Sequence, residues 1–129
     1  MHASVLSILV VEDNRELRET LRRDLLSRGC QVTAASNGVE GLEAIVLEGF
    51  DAVVTDMLML PRGGLWLWQE ATTLRPRLRG RFIFCSGDPL PDTFEGPIRT
   101  ERFVSRPLDL DTLWAELLAV TRRREREAS

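Results

Sequence analysis

The sequence has little of several features that would mark a specialised class of protein. Its 129 residues include two cysteines and one histidine. No apolar run approaches the ~20 residues that a membrane-spanning helix needs, and no secretory signal pattern opens the chain. Cys30 and Cys85 are too few for a disulfide framework, so they are predicted to be reduced, buried thiols of a cytoplasmic protein. His2 alone makes a poor metal site.

An excess of one charge is also absent. The formal net charge of -3 gives no reason to expect direct binding to nucleic acid or to an anionic membrane. The composition is 43% hydrophobic and 29% charged, without repeats or low-complexity segments, which is typical of a single globular domain. We therefore predict one domain over residues 1–121 and a charged C-terminal tail over residues 122–129.

Short apolar runs alternate with amphipathic segments along the chain. Residues 5–11 form a nearly unbroken run rich in β-branched residues, typical of a strand covered on both faces of a parallel sheet. Further strands are predicted at residues 31–35, 51–55, 81–85 and 102–105. After the capping residue Asn14, apolar residues recur at the helical spacing. Further helices are predicted after residues 37, 64 and 109, the middle one carrying Leu67, Ala71, Leu74 and Leu78.

This order predicts an α/β fold. Strand and helix alternate about five times, and crossovers of this length join parallel strands and cover both faces of the sheet. The predicted architecture is a doubly wound, five-stranded parallel sheet of flavodoxin-like (βα)5 type. One unit departs from the pattern, because Pro89, Pro91, Gly96 and Pro97 disfavour a regular helix. The fourth helix is therefore expected to be short, displaced or missing.

Polar residues follow four of the predicted strands, at the edge of the sheet where function gathers in open parallel sheets. Glu12 and Asp13 follow the first strand, and Asp56 follows the third. Ser86 follows the fourth strand and Arg106 the last. Their joint placement is a much stronger signal than any one acid in a surface loop.

Crowded carboxylates raise each other's pKa unless a proton or a cation neutralises them. An oxygen-rich site with room for water suits Mg²⁺, which also neutralises charge during phosphoryl transfer. A carboxylate beside such an ion can attack phosphorus and give an acyl phosphate. Ser86 and Arg106 could donate hydrogen bonds to the phosphoryl oxygens. No glycine-rich loop follows the first strand, which argues against a nucleotide-binding enzyme.

Four segments resemble the receiver domains of response regulators, the CheY-like superfamily of two-component signalling. Residues 8–14 read ILVVEDN, and residues 53–56 read VVTD, with Met59, Pro61 and Gly64 beyond them. Residues 84–87 read FCSG, and residues 103–107 read FVSRP. The match covers essentially the whole chain with its motifs in the family's order.

The resemblance implies a role for each site residue. Asp56 would accept a phosphoryl group from a histidine kinase or a histidine phosphotransfer protein. The implied Mg²⁺ ligands are Glu12, Asp13, Asp56 and the backbone carbonyl of Leu58. The implied switch residues are the hydroxyl of Ser86, the aromatic ring of Phe103 and Arg106, which stands in place of the family's lysine.

The resemblance also implies a signalling domain rather than an enzyme, with catalysis limited to its own phosphorylation and dephosphorylation. Phosphorylation would switch a surface for a downstream protein partner or a fused output domain, and a homodimer is compatible with it. The departure at Arg106 keeps an alternative open, namely an interaction module that works without phosphorylation, and a second departure lies in the loop after Asp56. Arg106 is wider and planar where a lysine is compact. Pro61 lies one residue further from the acceptor than is usual in the family.

Overall fold

A computed structural model describes residues 5–57, 59, 61–86 and 97–128. Within these ranges the strands are β1 (Ser7–Val11), β2 (Gln31–Ala35), β3 (Ala52–Asp56), β4 (Phe82–Ser86) and β5 (Arg102–Ser105). The α-helices are α1 (Arg15–Ser27), α2 (Gly38–Leu47), α3 (Gly64–Leu74) and α4 (Leu110–Ala128). Short 3-10 helices cover Pro76–Leu78 and Pro97–Thr100.

The five strands form one parallel sheet in the order β2-β1-β3-β4-β5. This confirms the predicted doubly wound α/β fold. The strand order reverses between β1 and β3, and Val11 lies opposite Thr55 in their register. The residues that follow these two strands therefore meet at the crevice where ligands bind in such sheets.

Alternate residues of β1 face two separate hydrophobic clusters, as the two-residue period of a strand requires. Ile8 and Val10 pack in one cluster with residues of α1 and α4, including Leu21, Leu25, Leu113 and Leu117. Leu9 and Val11 pack in the other with residues of α2 and α3, including Ile45, Leu67 and Ala71. The sheet is thus held rigidly between two layers of helices, which fixes the positions of its strand ends.

The predicted start of α1 is confirmed, and the predicted end of the third helix is wrong. Asn14 accepts a hydrogen bond from the amide of Leu17 at 2.9 Å and so caps α1. The helix predicted to carry Leu78 ends at Leu74, and Leu78 lies in a 3-10 helix that begins at Pro76. Proline disfavours a helical residue before it and lacks an amide donor, which explains the break. Leu78 is nevertheless buried in the core.

The prediction for the fourth helix falls mainly on residues 87–96, which lie outside the described residues. The described end of that unit is the 3-10 helix Pro97–Thr100, with Ile98 buried in the core. At the other end of the chain, α4 continues to Ala128. In the part of the chain that the structure describes, no helix is long and apolar enough to cross a membrane.

Candidate functional site

Three carboxylates meet at the carboxyl ends of β1 and β3. One oxygen atom from each of Glu12, Asp13 and Asp56 lies within 4.8 Å of the others. Glu12 is buried with 3% of its surface exposed, whereas Asp13 is exposed. The side chain of Asp56 lies between these extremes at 18% exposure, so it can be reached from solvent. The structure thus brings together the three acids that the sequence placed at this edge.

Glu12 is held in place through both of its carboxylate oxygens. Its Oε2 accepts a hydrogen bond from the amide of Asn14 at 2.9 Å, and its Oε1 accepts one from Arg106 at 2.9 Å. Burial raises the pKa of Glu12 above its ordinary value, and the carboxyls of Asp13 and Asp56 add to the rise. The two donors favour the charged form and offset only part of this effect.

Arg106, the first residue after β5, reaches across the sheet edge to the acids. Its Nη2 donates to Oε1 of Glu12 at 2.9 Å and to Oδ2 of Asp56 at 3.1 Å. Burial opposes the charge of Arg106, but the hydrogen bond to Glu12 and the negative charge of Asp56 leave its pKa raised. A permanent cation therefore bridges the predicted acceptor and the buried acid.

Arg18 supports the same loop from α1, and sequence reasoning missed it. Its Nη1 donates to the backbone carbonyl of Glu12 at 2.8 Å and to that of Asp13 at 3.5 Å. The arginine lies six residues after Glu12, in the second turn of a helix rich in charged residues. The sequence offered no signal that distinguished it from the other arginines of α1.

The family model for the response regulator receiver domain matches residues 8–117. The chain belongs to this family. Response regulator MprA of Mycobacterium ulcerans is 32% identical over 121 residues, which are 93% of this chain and 52% of that protein. MprA of Mycobacterium avium is 31% identical over 121 residues, 93% of this chain and 53% of that protein. The chain spans about half the length of the curated relatives it matches.

Solved receiver structures share the fold of this receiver domain. A CheY-like receiver from Methanospirillum hungatei superimposes with a TM-score of 0.86 at 22% identity, covering 96% of this chain and 99% of that one. TrrA from Thermotoga maritima, solved in complex with Mg²⁺ and BeF, gives a TM-score of 0.79 at 22% identity. That match covers 90% of this chain and 99% of TrrA. At these identities the likeness shows the fold alone.

The remaining predicted site residues of the receiver domain are placed only in part. Leu58 lies outside the described residues, as does the side chain of Ser86, whose backbone ends β4 opposite Ser105. Phe103 is half-buried and stacks on Phe84, with ring centroids 5.3 Å apart. The roles of these residues stay predictions.

Cys85 lies opposite Asp56 in the register of β3 and β4, which places a thiol close to the receiver's acidic cluster. Burial raises the pKa of Cys85 to about 12, and the nearby charges of Asp56 and Glu12 add to the rise. The thiolate is the nucleophilic form of cysteine, so this thiol is inert at neutral pH.

Proposed function

We propose that the receiver domain takes a phosphoryl group from a histidine kinase or a histidine phosphotransfer protein onto Asp56. The observation that carries this proposal is the position of Asp56, an accessible carboxylate at the end of a buried strand within 4.8 Å of two further acids. Family membership supports it, because the receiver model matches 110 consecutive positions, residues 8–117.

The donor set fits a magnesium ion. Glu12, Asp13 and Asp56 offer carboxylate oxygens, the ligands that Mg²⁺ prefers, and Arg106 shares its single positive charge between two of them, Glu12 and Asp56. Asp13 and Asp56 would hold the ion, with Glu12 and the Leu58 carbonyl as further oxygen donors. The bound ion would supply positive charge that neutralises the phosphoryl oxygens during transfer.

The transfer itself is assigned to the side chain of Asp56. One carboxylate oxygen forms a bond to phosphorus while the bond between phosphorus and the donor histidine nitrogen breaks. The electron pair of the broken bond stays on that nitrogen, which takes up a proton, and Asp56 becomes an acyl phosphate. Arg106 donates one hydrogen bond to Oδ2 of Asp56 at 3.1 Å and so helps to orient this carboxylate.

We propose that phosphorylation is then transmitted through Ser86 and Phe103. A hydroxyl at the end of β4 can donate to a phosphoryl oxygen, and the half-buried ring of Phe103 lies beside β4 in the register of the sheet. Movement of both would alter the surface near β5 and α4. A two-state element biased by new local contacts is a common way to transmit a switch.

The partners and setting are proposals of the same kind. The output side would be read by a downstream protein or by a fused output domain, without direct contact to nucleic acid or membrane, and a homodimer is compatible with it. We propose a cytoplasmic location, where buried thiols such as Cys30 and Cys85 stay reduced. The family match ends at residue 117, and the domain boundary between residues 121 and 122 stays a prediction. Self-catalysed phosphorylation and dephosphorylation belong to the same proposal.

The decisive experiment weighs the intact protein after incubation with Mg²⁺ and acetyl phosphate as a small phosphodonor. We expect the wild type to gain the mass of one phosphoryl group and Asp56→Asn to gain none. Asp111→Asn is the matched control, because Asp111 has an exposed carboxylate at the start of α4 and should leave labelling unchanged. Labelling of D56N at the wild-type level, or no labelling of the wild type, refutes the proposal.

A second candidate function is an interaction module that works without phosphorylation. The ion pairs of Arg106 with Glu12 and Asp56 favour it, because they leave the acceptor partly neutralised by the chain itself. This alternative predicts that the wild type stays unlabelled under conditions that label an ordinary receiver. It also predicts that Arg106→Lys, which restores the family's usual residue, gains labelling.

A further inference from the structure

Arg106 occupies part of the acidic cluster in which a metal ion would bind. A single nitrogen of its guanidinium group, Nη2, contacts Glu12 at 2.9 Å and Asp56 at 3.1 Å. Asp56 is also one of the three residues whose oxygens converge within 4.8 Å. The arginine and a divalent cation would therefore draw on the same negative charge.

Glu12 anchors the arginine firmly. It is buried, with its Oε1 facing Arg106 and its Oε2 facing the amide of Asn14, so both oxygens already accept a hydrogen bond. The guanidinium remains protonated under all ordinary conditions, so this internal cation cannot be removed by deprotonation. A metal ion that binds Asp56 therefore brings a second cation to the carboxylate that Arg106 already contacts through Oδ2.

We propose that Arg106 is a built-in competitor of the divalent cation, and that metal binding to Asp13 and Asp56 loosens the Arg106–Asp56 pair while Arg106 stays on Glu12. The inference rests on the proposed function, since it concerns the metal of the same site. Two cations a few ångströms apart in a partly buried site repel strongly, because solvent screens such a pair only weakly. The chain would thus bind Mg²⁺ less tightly than its three acids alone would allow.

Because of the shape of its guanidinium, Arg106 should compete with the metal ion more strongly than a lysine at the same position would. An ammonium is compact and lies on a flexible stem, so it can retreat from an arriving ion. The guanidinium of Arg106 is wider and planar, and its Nη2 alone already contacts both Glu12 and Asp56. Arg106→Lys should therefore relieve part of the competition, and the neutral Arg106→Gln should relieve most of it.

The test measures metal binding directly rather than activity. Mn²⁺, which takes the same oxygen ligands, is titrated into each variant, and the free ion is counted by its electron paramagnetic resonance signal. Displacement by MgCl₂ then gives the Mg²⁺ affinity. We expect R106Q to bind both ions about tenfold more tightly than the wild type, with R106K in between.

Arg102→Gln is the matched control. Arg102 is the first residue of β5, the strand that Arg106 follows, and it is half-exposed and pairs with Glu116 at 3.5 Å. R102Q therefore changes the net charge by the same amount at the other end of β5, away from the acids. Because Arg102 lies at the opposite end of β5 from the acids, salt at about 0.15 M screens most of its influence on a bound cation. The metal affinity of R102Q should therefore stay within about twofold of that of the wild type.

Equal or weaker metal binding by R106Q overturns the inference, as does an equal gain in R102Q. If R106Q has no effect while acetyl phosphate still labels Asp56, the inference alone fails and the proposed function stands. If neither the wild type nor R106Q binds Mn²⁺, the inference fails together with the metal site. Absence of labelling at Asp56 then decides separately whether the phosphoacceptor role fails too.

Discussion

Gly64 begins α3 directly against the backbone of Asp56. A Cβ atom at Gly64 would lie 2.3 Å from the carbonyl oxygen of Asp56, closer than any real contact of that kind. The amide of Gly64 also donates to the carbonyl of Met57 at 3.0 Å. The absence of a side chain at this position therefore lets α3 begin tightly against the end of β3.

We expect Gly64→Ala to destabilise the fold by about 2 kcal/mol, because the added methyl group must displace backbone rather than a flexible side chain. Urea denaturation of the metal-free protein measures the change. Gly49→Ala is the control, since nothing lies within 4 Å of a Cβ there, and its free energy of unfolding should stay within about 0.5 kcal/mol of the wild type. A G64A protein as stable as G49A would contradict the steric explanation.

The sequence predicted the sheet well because its signals there are local. Each of these signals is set by residues close together in the chain: the run of β-branched residues in β1, the capping residue Asn14, and the acids at the ends of β1 and β3. The end of the third helix was missed because the helical spacing of Leu78 outweighed Pro76 in the interpretation of the sequence. Leu78 keeps its burial in a 3-10 turn, so an apolar pattern alone cannot distinguish the two.

The sequence placed Arg106 at the acidic edge of the sheet, but its exact partners and the role of Arg18 depend on tertiary structure and could not be predicted. The sequence contains no lysine and 17 arginines. An arginine in place of the family's lysine at position 106 therefore matches the composition of the whole chain, and by itself it indicates little about how the site works. Its bond to Glu12 spans 94 positions, and the contact of Arg18 with the first loop depends on the exact direction of α1.

Glu12 predicts how stability depends on pH in the absence of metal. Its pKa is raised in the folded protein, chiefly by burial, so folding favours the protonated form. Its stabilising contribution is complete below the unfolded pKa of 4.5 and is lost as pH rises through the higher folded pKa. We therefore expect Glu12→Gln to gain stability relative to the wild type as pH rises above about 4.5.

The measurement is urea denaturation of both proteins in EDTA at several pH values from acid to neutral. Asp111→Asn is the control for the loss of one carboxylate, because the side chain of Asp111 is 88% exposed. A gap between E12Q and wild type that stays constant, or that closes as pH rises, would show that Glu12 is not stabilised in its neutral form.

Glu101 is expected to stabilise the fold at the opposite end of β4. This buried carboxylate accepts hydrogen bonds from the amides of Gly80 at 2.7 Å and Phe82 at 2.9 Å. Glu101→Ala leaves both donors without this partner, so we expect a loss of about 2–4 kcal/mol in the free energy of unfolding. Glu101→Gln, which keeps one acceptor oxygen, should lose less. Equal losses in both variants would mean that the acceptor oxygen kept in E101Q contributes nothing, which would contradict the assignment of the loss to the two separate hydrogen bonds.

Substitution of Arg18 is expected to slow phosphorylation much more than it lowers the stability of the fold. Its hydrogen bonds to the carbonyls of Glu12 and Asp13 fix the loop that carries two of the three acids. Arg18→Met keeps much of the side-chain length but frees this loop, and small misplacements of reacting groups are costly. We expect labelling of Asp56 by acetyl phosphate to slow about tenfold. The free energy of unfolding should fall by only about 1 kcal/mol.

Arg15→Met is the matched control, because Arg15 is exposed on the same helix and its substitution removes the same charge. Intact-mass time courses at saturating Mg²⁺ compare the two variants with the wild type. A similar slowing in R15M would assign the effect to the general field of α1 rather than to the loop. Normal labelling in R18M would mean that the amide of Asn14 and the guanidinium of Arg106, both bonded to Glu12, suffice to hold the acids in place.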